Sequence, residues 1–397
     1  MTAVHTFDAA SVLGLLPGAP RLLALGEPTH GEDVLLELRN DLFRQLAEDH
    51  HYRTIAIESD CLRALLVDDY VTTGKGDLDE VMEHGFSHGF GASAANRDLV
   101  RWMRDHNDGR PAAEQVRFAG FDGPLEIAAA DSPRQALTAL HSYLAARVDP
   151  GLLPCSAPDL DDLLGPDERW TEPAAMRDPS RSAGRTADAD RLRLLTDDLA
   201  ALLDAQSPQL IADGFDRARL HGRTAAGLLR YHHAMADTSA ARMARVLAAR
   251  AAIMAGNLLA VAEHGPALVH ANNGHLQRDL GSMRMGGPPV QWWPAGAIVS
   301  ARLGADYAVV ATALGTIRHR GVGTPPDGTL EGQFYALPQD RFLVDPRRLT
   351  APPAARVSPW FGYAPLDPAR LANLDGIVFV KDAPEGEIWW PPVTDGD

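Results

Sequence analysis

Six short apolar runs, each ending in polar or glycine residues, constrain the fold of this chain more than any other feature. They are RLLALGE (21–27), RTIAIES (53–59), VRFAGFD (116–122), ALVHANN (267–273), YAVVATALG (307–315) and GIVFVKD (376–382). Near-continuous apolar runs of this length read as strands buried on both faces. Helical patterns lie between many of them. In VLLELRNDLFRQLAED, Val34, Leu35, Leu38, Leu42 and Leu46 recur at helical spacing. Strands alternating with helices predict an α/β fold with a mostly parallel central sheet flanked by helices.

The middle of the chain breaks that rhythm. From about 131 to 264 only helical stretches are read, such as PRQALTALHSYLAARV and ARMARVLAARAAIMAGNLLAVAEH. This predicts a helical insertion lobe over 131–264, covering an active-site cleft in an α/β core built from 1–130 and 265–397. The segment 150–188, rich in Pro, Asp, Ser and Arg, reads as a loop or lid inside the lobe.

Charge and cysteine usage limit the partners. A net charge of −16 argues against a nucleic acid or an anionic membrane surface. Two cysteines without metal-ligand spacing point to neither a disulfide framework nor a thiolate zinc site, and fit a reducing compartment. The N-terminal stretch has no basic region and is broken by Pro17 and Pro20, so it does not read as a secretory signal. The expectation is a cytoplasmic protein acting on a small molecule.

The strand ends carry the chemistry-bearing residues. In GEPTHGE, Thr29 and Glu32 have the T-x-x-E spacing of a capping box, which would place His30 in the first turn of a helix. The positive end of the helix dipole would then keep its imidazole neutral, as a general base requires. Glu27, just before it, could orient His30. Glu58 ends the second run, which is too apolar to welcome an unpaired charge. ALVHANNGHL brings Asn272, Asn273 and His275 to a third strand end. Open α/β sheets bind ligands beyond the carboxyl ends of their strands, so these residues are candidates for one site. His270 reads either as a hydrogen-bonded core histidine or as a group facing substrate. The asparagines suit a loop, or position substrate through their amides. His232, His233, Trp292, Trp293 and His319 are weaker candidates for lining the cleft.

GE-x-TH-G, IAIES and NNGH, in this order, resemble the erythromycin esterase family. Asn96-Arg97 before WMRDHN, GFD at 120–122 and MAGNL at 254–258 extend the resemblance, as do the last two apolar runs. It implies an α/β core, a helical lobe, and hydrolysis of a macrolide lactone without cofactor or metal. The family's general-base histidine falls on His30, its carboxylates on Glu27 and Glu58, its second histidine on His275, and a helix arginine on Arg39. Three departures stand out. The usual W-A-H-N-x-H is H-A-N-N-G-H here, the usual Arg-Asp is Arg250-Ala251, and a tryptophan-rich segment is replaced by HGFSHGFGASAANRD, with His84 and His88. His88, His270, Asn272, Asn273 and Arg39 are the substrate-binding candidates, in substrate-facing parts unlike those of a standard macrolide esterase, for a macrolide-like molecule or another natural product.

Three functions fit these residues. In a hydrolase, His30 takes a proton from water, and His275, Arg39 or an asparagine amide stabilises the oxyanion. No G-x-S-x-G elbow is read, so an acyl-enzyme has no support. In a natural-product tailoring enzyme, the same groups would drive cyclisation or acyl transfer, and product mass separates the two. In a metal- or haem-binding protein, as found among distant relatives, Glu27, His30, Glu58 and His275 would supply the ligands.

Overall fold

In the computed structural model the described residues are 4–126, 129–211, 214–284, 287–349, 354–358, 360–386 and 389–390. Eight strands form the main sheet: β1 (Val4–His5), β2 (Leu22–Glu27), β3 (Thr54–Asp60), β4 (Arg117–Asp122), β5 (Ala267–Asn272), β6 (Tyr307–Thr316), β7 (Arg341–Val344) and β8 (Gly376–Asp382). Their order is β1-β7-β8-β6-β2-β5-β3-β4. Every neighbouring pair from β8 to β4 is parallel, and β7 runs antiparallel to both β8 and β1. The six expected strands are thus the parallel part of a mixed sheet. β1 and β7 were not expected, because two and four residues are too few to show a pattern.

Both faces of the sheet are covered. Leu23, Leu25, Ile55, Ile57 and Leu268 share a core with Leu38, Leu42 and Leu46 of the helix α1 (Asp33–Asp49). Leu22, Ala24, Ala56 and Val269 face the other way, onto Met254 and Leu258 of the helix α2 (Arg242–Glu263). Alternate residues of one strand therefore meet different helices, which is why the runs look continuously apolar. α2 is long and apolar enough to cross a membrane, but its buried face packs on this sheet.

Between Arg134 and Glu263 the described residues contain helices and turns and no strand. The segment 150–188 is not an open lid. Leu160, Leu164 and Trp170 are buried with Leu137, Leu140, Leu192 and Leu199, and the Trp170 indole donates to the Leu164 carbonyl at 2.9 Å. A few apolar residues spaced among many polar ones were enough to dock it.

Three adjacent strands, β2, β5 and β3, present their carboxyl ends together. The pairing of β2 with β6 stops at Leu25 and Val310 although both strands run on. Asn273 fills the gap: its amide donates to the Thr312 carbonyl (2.9 Å) and accepts from the Thr312 N–H (3.2 Å). A Cβ on Gly26 would lie 2.1 Å from Asn273 Oδ1 and 3.1 Å from its Cα, so only glycine fits before Glu27. Gly26→Ala is expected to cost about 1–3 kcal/mol by overpacking. Gly18→Ala, with nothing within 4 Å of the added atom, should be near neutral. Urea unfolding of the two variants side by side checks this.

Candidate active site

The turn after β2 differs from the expected capped helix. α1 begins at Asp33, and Glu32 at its N-cap makes no side-chain capping bond. Gly31 adopts φ 86°, a left-handed conformation that ends any helical path through His30. The Glu32 carboxylate is instead taken by His319 Nε2 at 3.0 Å and faces Arg320 Nε at 3.8 Å. The Thr29 hydroxyl donates to the His30 carbonyl. His30 therefore lies before the helix, and the dipole does not set its protonation.

Carboxylates do. His30 Nδ1 lies 2.6 Å from Glu27 Oε1, and His30 Nε2 lies 3.8 Å from Glu58 Oε2. Burial alone would push the imidazole down, but Glu58 and Glu27 outweigh it and raise its pKa above 6.5. Phe90 and Trp390 enclose the ring, with centroids 5.3 and 4.9 Å away. Trp389 donates from its indole to Asp33 Oδ1 at 2.8 Å, and Arg320 donates to the Trp390 carbonyl at 2.9 Å.

Glu58 is buried, and donors surround it. The Asn272 N–H donates to Oε2 at 2.9 Å, while Arg250 Nη2 and His275 Nε2 approach Oε1 at 3.2 and 3.1 Å. Burial would raise its carboxyl, but His275, His30 and Arg250 hold it well below the usual carboxylate range. Arg250 also grips Asp122, with Nη2–Oδ2 at 2.6 Å and Nε–Oδ1 at 3.2 Å. Asp122 in turn faces His88 Nε2 at 3.2 Å, and His88 Nδ1 reaches Glu126 at 2.8 Å. His88 sits at φ 56°, a conformation a non-glycine residue holds only when its surroundings impose it.

The expected residues separate into two groups. Glu27, His30, Glu58 and His275 converge on one network, and His88 joins it through Asp122 and Arg250. Four candidate substrate contacts are occupied by the fold itself. Arg39 is 1% exposed and bonded to the side-chain oxygens of Asn40 and Asn96. His270 is buried, with Nδ1 on the Leu25 carbonyl at 3.0 Å and Nε2 facing Glu27 Oε2 at 3.3 Å. Asn272 caps the following turn by accepting from the Gly274 N–H, and Asn273 bonds β6. A cavity of about 10 Å³, just large enough for one water, lies among Glu27, Arg39, Glu58, Asn96, His270 and Trp389.

Of the weaker candidates, His232 bonds the Asp131 carbonyl, His233 contacts Arg193, and Trp293 is exposed. Gly85–Gly89, GFSHG, does fit the letters G-x-S-x-G, contrary to the sequence reading. It follows a helix rather than a strand, and the buried Ser87 Oγ accepts from the Asp60 N–H at 2.8 Å, so it is no nucleophile elbow. Among the described residues, no three or more His, Cys, Asp or Glu are grouped to hold a metal ion.

Asp122 and Arg250 were missed as site residues. Asp122 ends an apolar run just as Glu58 does, so the same argument could have found it. Arg250 arrives from a helix 128 residues further on, with no local signal.

The His88 cluster makes stability depend on pH. Burial disfavours the imidazolium, but Asp122 and Glu126 raise its pKa from 6.5 to about 9. Its contribution, up to about 3 kcal/mol, is fully present below pH 6.5 and is lost as pH rises through 9. Urea unfolding at pH 6 and pH 9.5 should show that loss, and His88→Gln should remove it.

A protein from Bacillus cereus superposes with a TM-score of 0.72 at 19% identity, covering 96% of this chain and 95% of that one. A succinoglycan biosynthesis protein gives 0.67 at 15%, covering 94% and 89%. A mutant of the erythromycin esterase EreC in its open conformation gives 0.67 at 17%, covering 96% and 95%. No curated protein matches in sequence. At these identities the likeness shows the fold. A family model described as Erythromycin esterase matches residues 47–370, which include Glu58, Asp122, Arg250 and His275 and leave out Glu27, His30 and Trp390. On that match over most of its length, the chain belongs to the erythromycin esterase family.

Proposed function

We propose that this protein hydrolyses an ester or lactone in a small molecule, with His30 as the general base and no cofactor. Family membership supports a hydrolase-type activity. The observation that carries the finer reading is the 2.6 Å contact between His30 Nδ1 and the Glu27 carboxylate. A carboxylate can only accept there, so Nδ1 holds the hydrogen and Nε2 is the free base. The 3.8 Å between Nε2 and Glu58 Oε2 is too long for a direct bond, and a water donating to both would suit it. Nε2 takes the water's proton, the hydroxide attacks the carbonyl carbon, and His275 and Arg250 stand nearby as oxyanion donors. The proton on Nε2 then passes to the leaving alkoxide. Glu27 orients the ring and balances the imidazolium formed in between.

The net charge of −16 suits neither nucleic acid nor an anionic membrane as partner, and free Cys61 and Cys155 fit a cytoplasmic location.

His30→Ala should lower turnover of p-nitrophenyl acetate or of a macrolide lactone by about 10²–10⁴-fold. The wild-type product should gain the mass of one water. Unchanged turnover in the variant, or a product of unchanged mass, overturns the reading. The base must be neutral, so kcat/KM should rise with pH through a limb above 6.5, as the raised His30 pKa requires. Treatment with a chelator should leave the rate unchanged.

A further inference from the structure

His270 lies behind the catalytic pair, on β5, in register with Leu25 of β2 and Ile57 of β3. Its two ring nitrogens have different partners. Nδ1 is 3.0 Å from the Leu25 carbonyl oxygen, which can only accept, so Nδ1 carries a hydrogen. Nε2 is 3.3 Å from Glu27 Oε2, and neither of these two buried atoms has a hydrogen-bond partner among the described residues. If His270 were neutral and Glu27 ionised, two lone pairs would face each other across this gap. Only a water in the adjoining cavity could then donate to both atoms.

We propose that His270 is a positioning residue for the His30–Glu27 pair, carrying on Nε2 a proton that faces Glu27 Oε2 across 3.3 Å. Burial works against a lone ion on either side, and a single proton across the gap leaves the pair neutral overall. Three charged or titratable groups surround it: Arg39 from α1, Glu58 from β3 and His30 from the turn. Burial pushes the His270 imidazole down and Arg39 adds to it, against the pull of the Glu27 anion. Against burial, His270 and His30 hold the Glu27 carboxyl at about 2, so the proton belongs to His270 and not to Glu27.

The arrangement acts on His30 in two ways. With Oε2 engaged by His270, Oε1 and its carboxylate plane are fixed toward His30 Nδ1, which keeps Nε2 as the free nitrogen. The charge on the His270 ring also offsets the negative charge that His30 meets, so His30 gives up its proton at a lower pH than it would beside a bare Glu27 anion. The role in catalysis rests on His30 being the base, while the proton itself does not.

Nitrogen-15 NMR of histidine-labelled full-length protein tests the proton without any substrate. At pH 7 the His270 ring should show hydrogen on both Nδ1 and Nε2. Both signals should vanish in His270→Gln, or in His270→Asn if the first variant does not fold. A wild-type His270 ring with hydrogen on Nδ1 alone overturns the proposal. The same spectra follow the titration of His30. In His270→Gln, whose amide donates to Oε2 but brings no titratable proton, the His30 midpoint should rise by about half a pH unit or more. An unmoved midpoint overturns the positioning role. Absence of ester turnover in the wild type would instead count against the proposed function and leave these readings intact.

Discussion

A buried carboxylate cannot stand alone, and Glu58 is the one on which this site depends. It lies near the carboxyl end of β3, right after the fully enclosed Ile55, Ala56 and Ile57, so its charge must be met by protein donors. Each donor comes from a different element: the Asn272 backbone from β5, Arg250 from α2, His275 from the one-turn helix Asn273–Leu276. Satisfying one anion therefore fixes where two strands, a long helix and a turn come together.

From Glu58 the network spreads outward. Arg250 links it to Asp122, Asp122 to His88, and His88 to Glu126 near the surface. On the other side His30 joins Glu58 to Glu27, and Glu27 faces His270. Histidines and carboxylates alternate through much of the chain of contacts. Such a network resists opening because removing one member strands a buried charge on the next. The departures from the family pattern at His270 and in HGFSHG fall at its two ends, where His270 backs Glu27 and His88 braces Asp122.

Much of the fold was legible because burial on both faces writes itself into sequence as uninterrupted apolar runs. Those six runs are six strands, in parallel register. β7 was hidden because four residues pairing at the antiparallel edge leave no periodic trace, and the docking of 150–188 was hidden because a handful of apolar contacts among polar residues suffices. The site was half legible. Glu27, Glu58, His30 and His275 were visible as polar groups at the ends of apolar runs. The capping box was misread because T-x-x-E describes a spacing, while Gly31 at positive φ and the pull of His319 on Glu32 decide the backbone.

The sequence by itself determined which residues arrive at the carboxyl edge of the sheet, since a strand end lies wherever an apolar run stops. The need for glycine at position 26 was not legible there, because it comes from the approach of Asn273. Only the tertiary structure decided which charges meet. Arg250 finds Asp122 and Glu58 from far along the chain, Trp390 comes from remote sequence to cover His30 while Trp389 binds Asp33, and Arg39 and His270 are held in the interior. Pairing of this kind depends on distances of a few ångströms between elements remote in sequence, and no local pattern of residues encodes those distances.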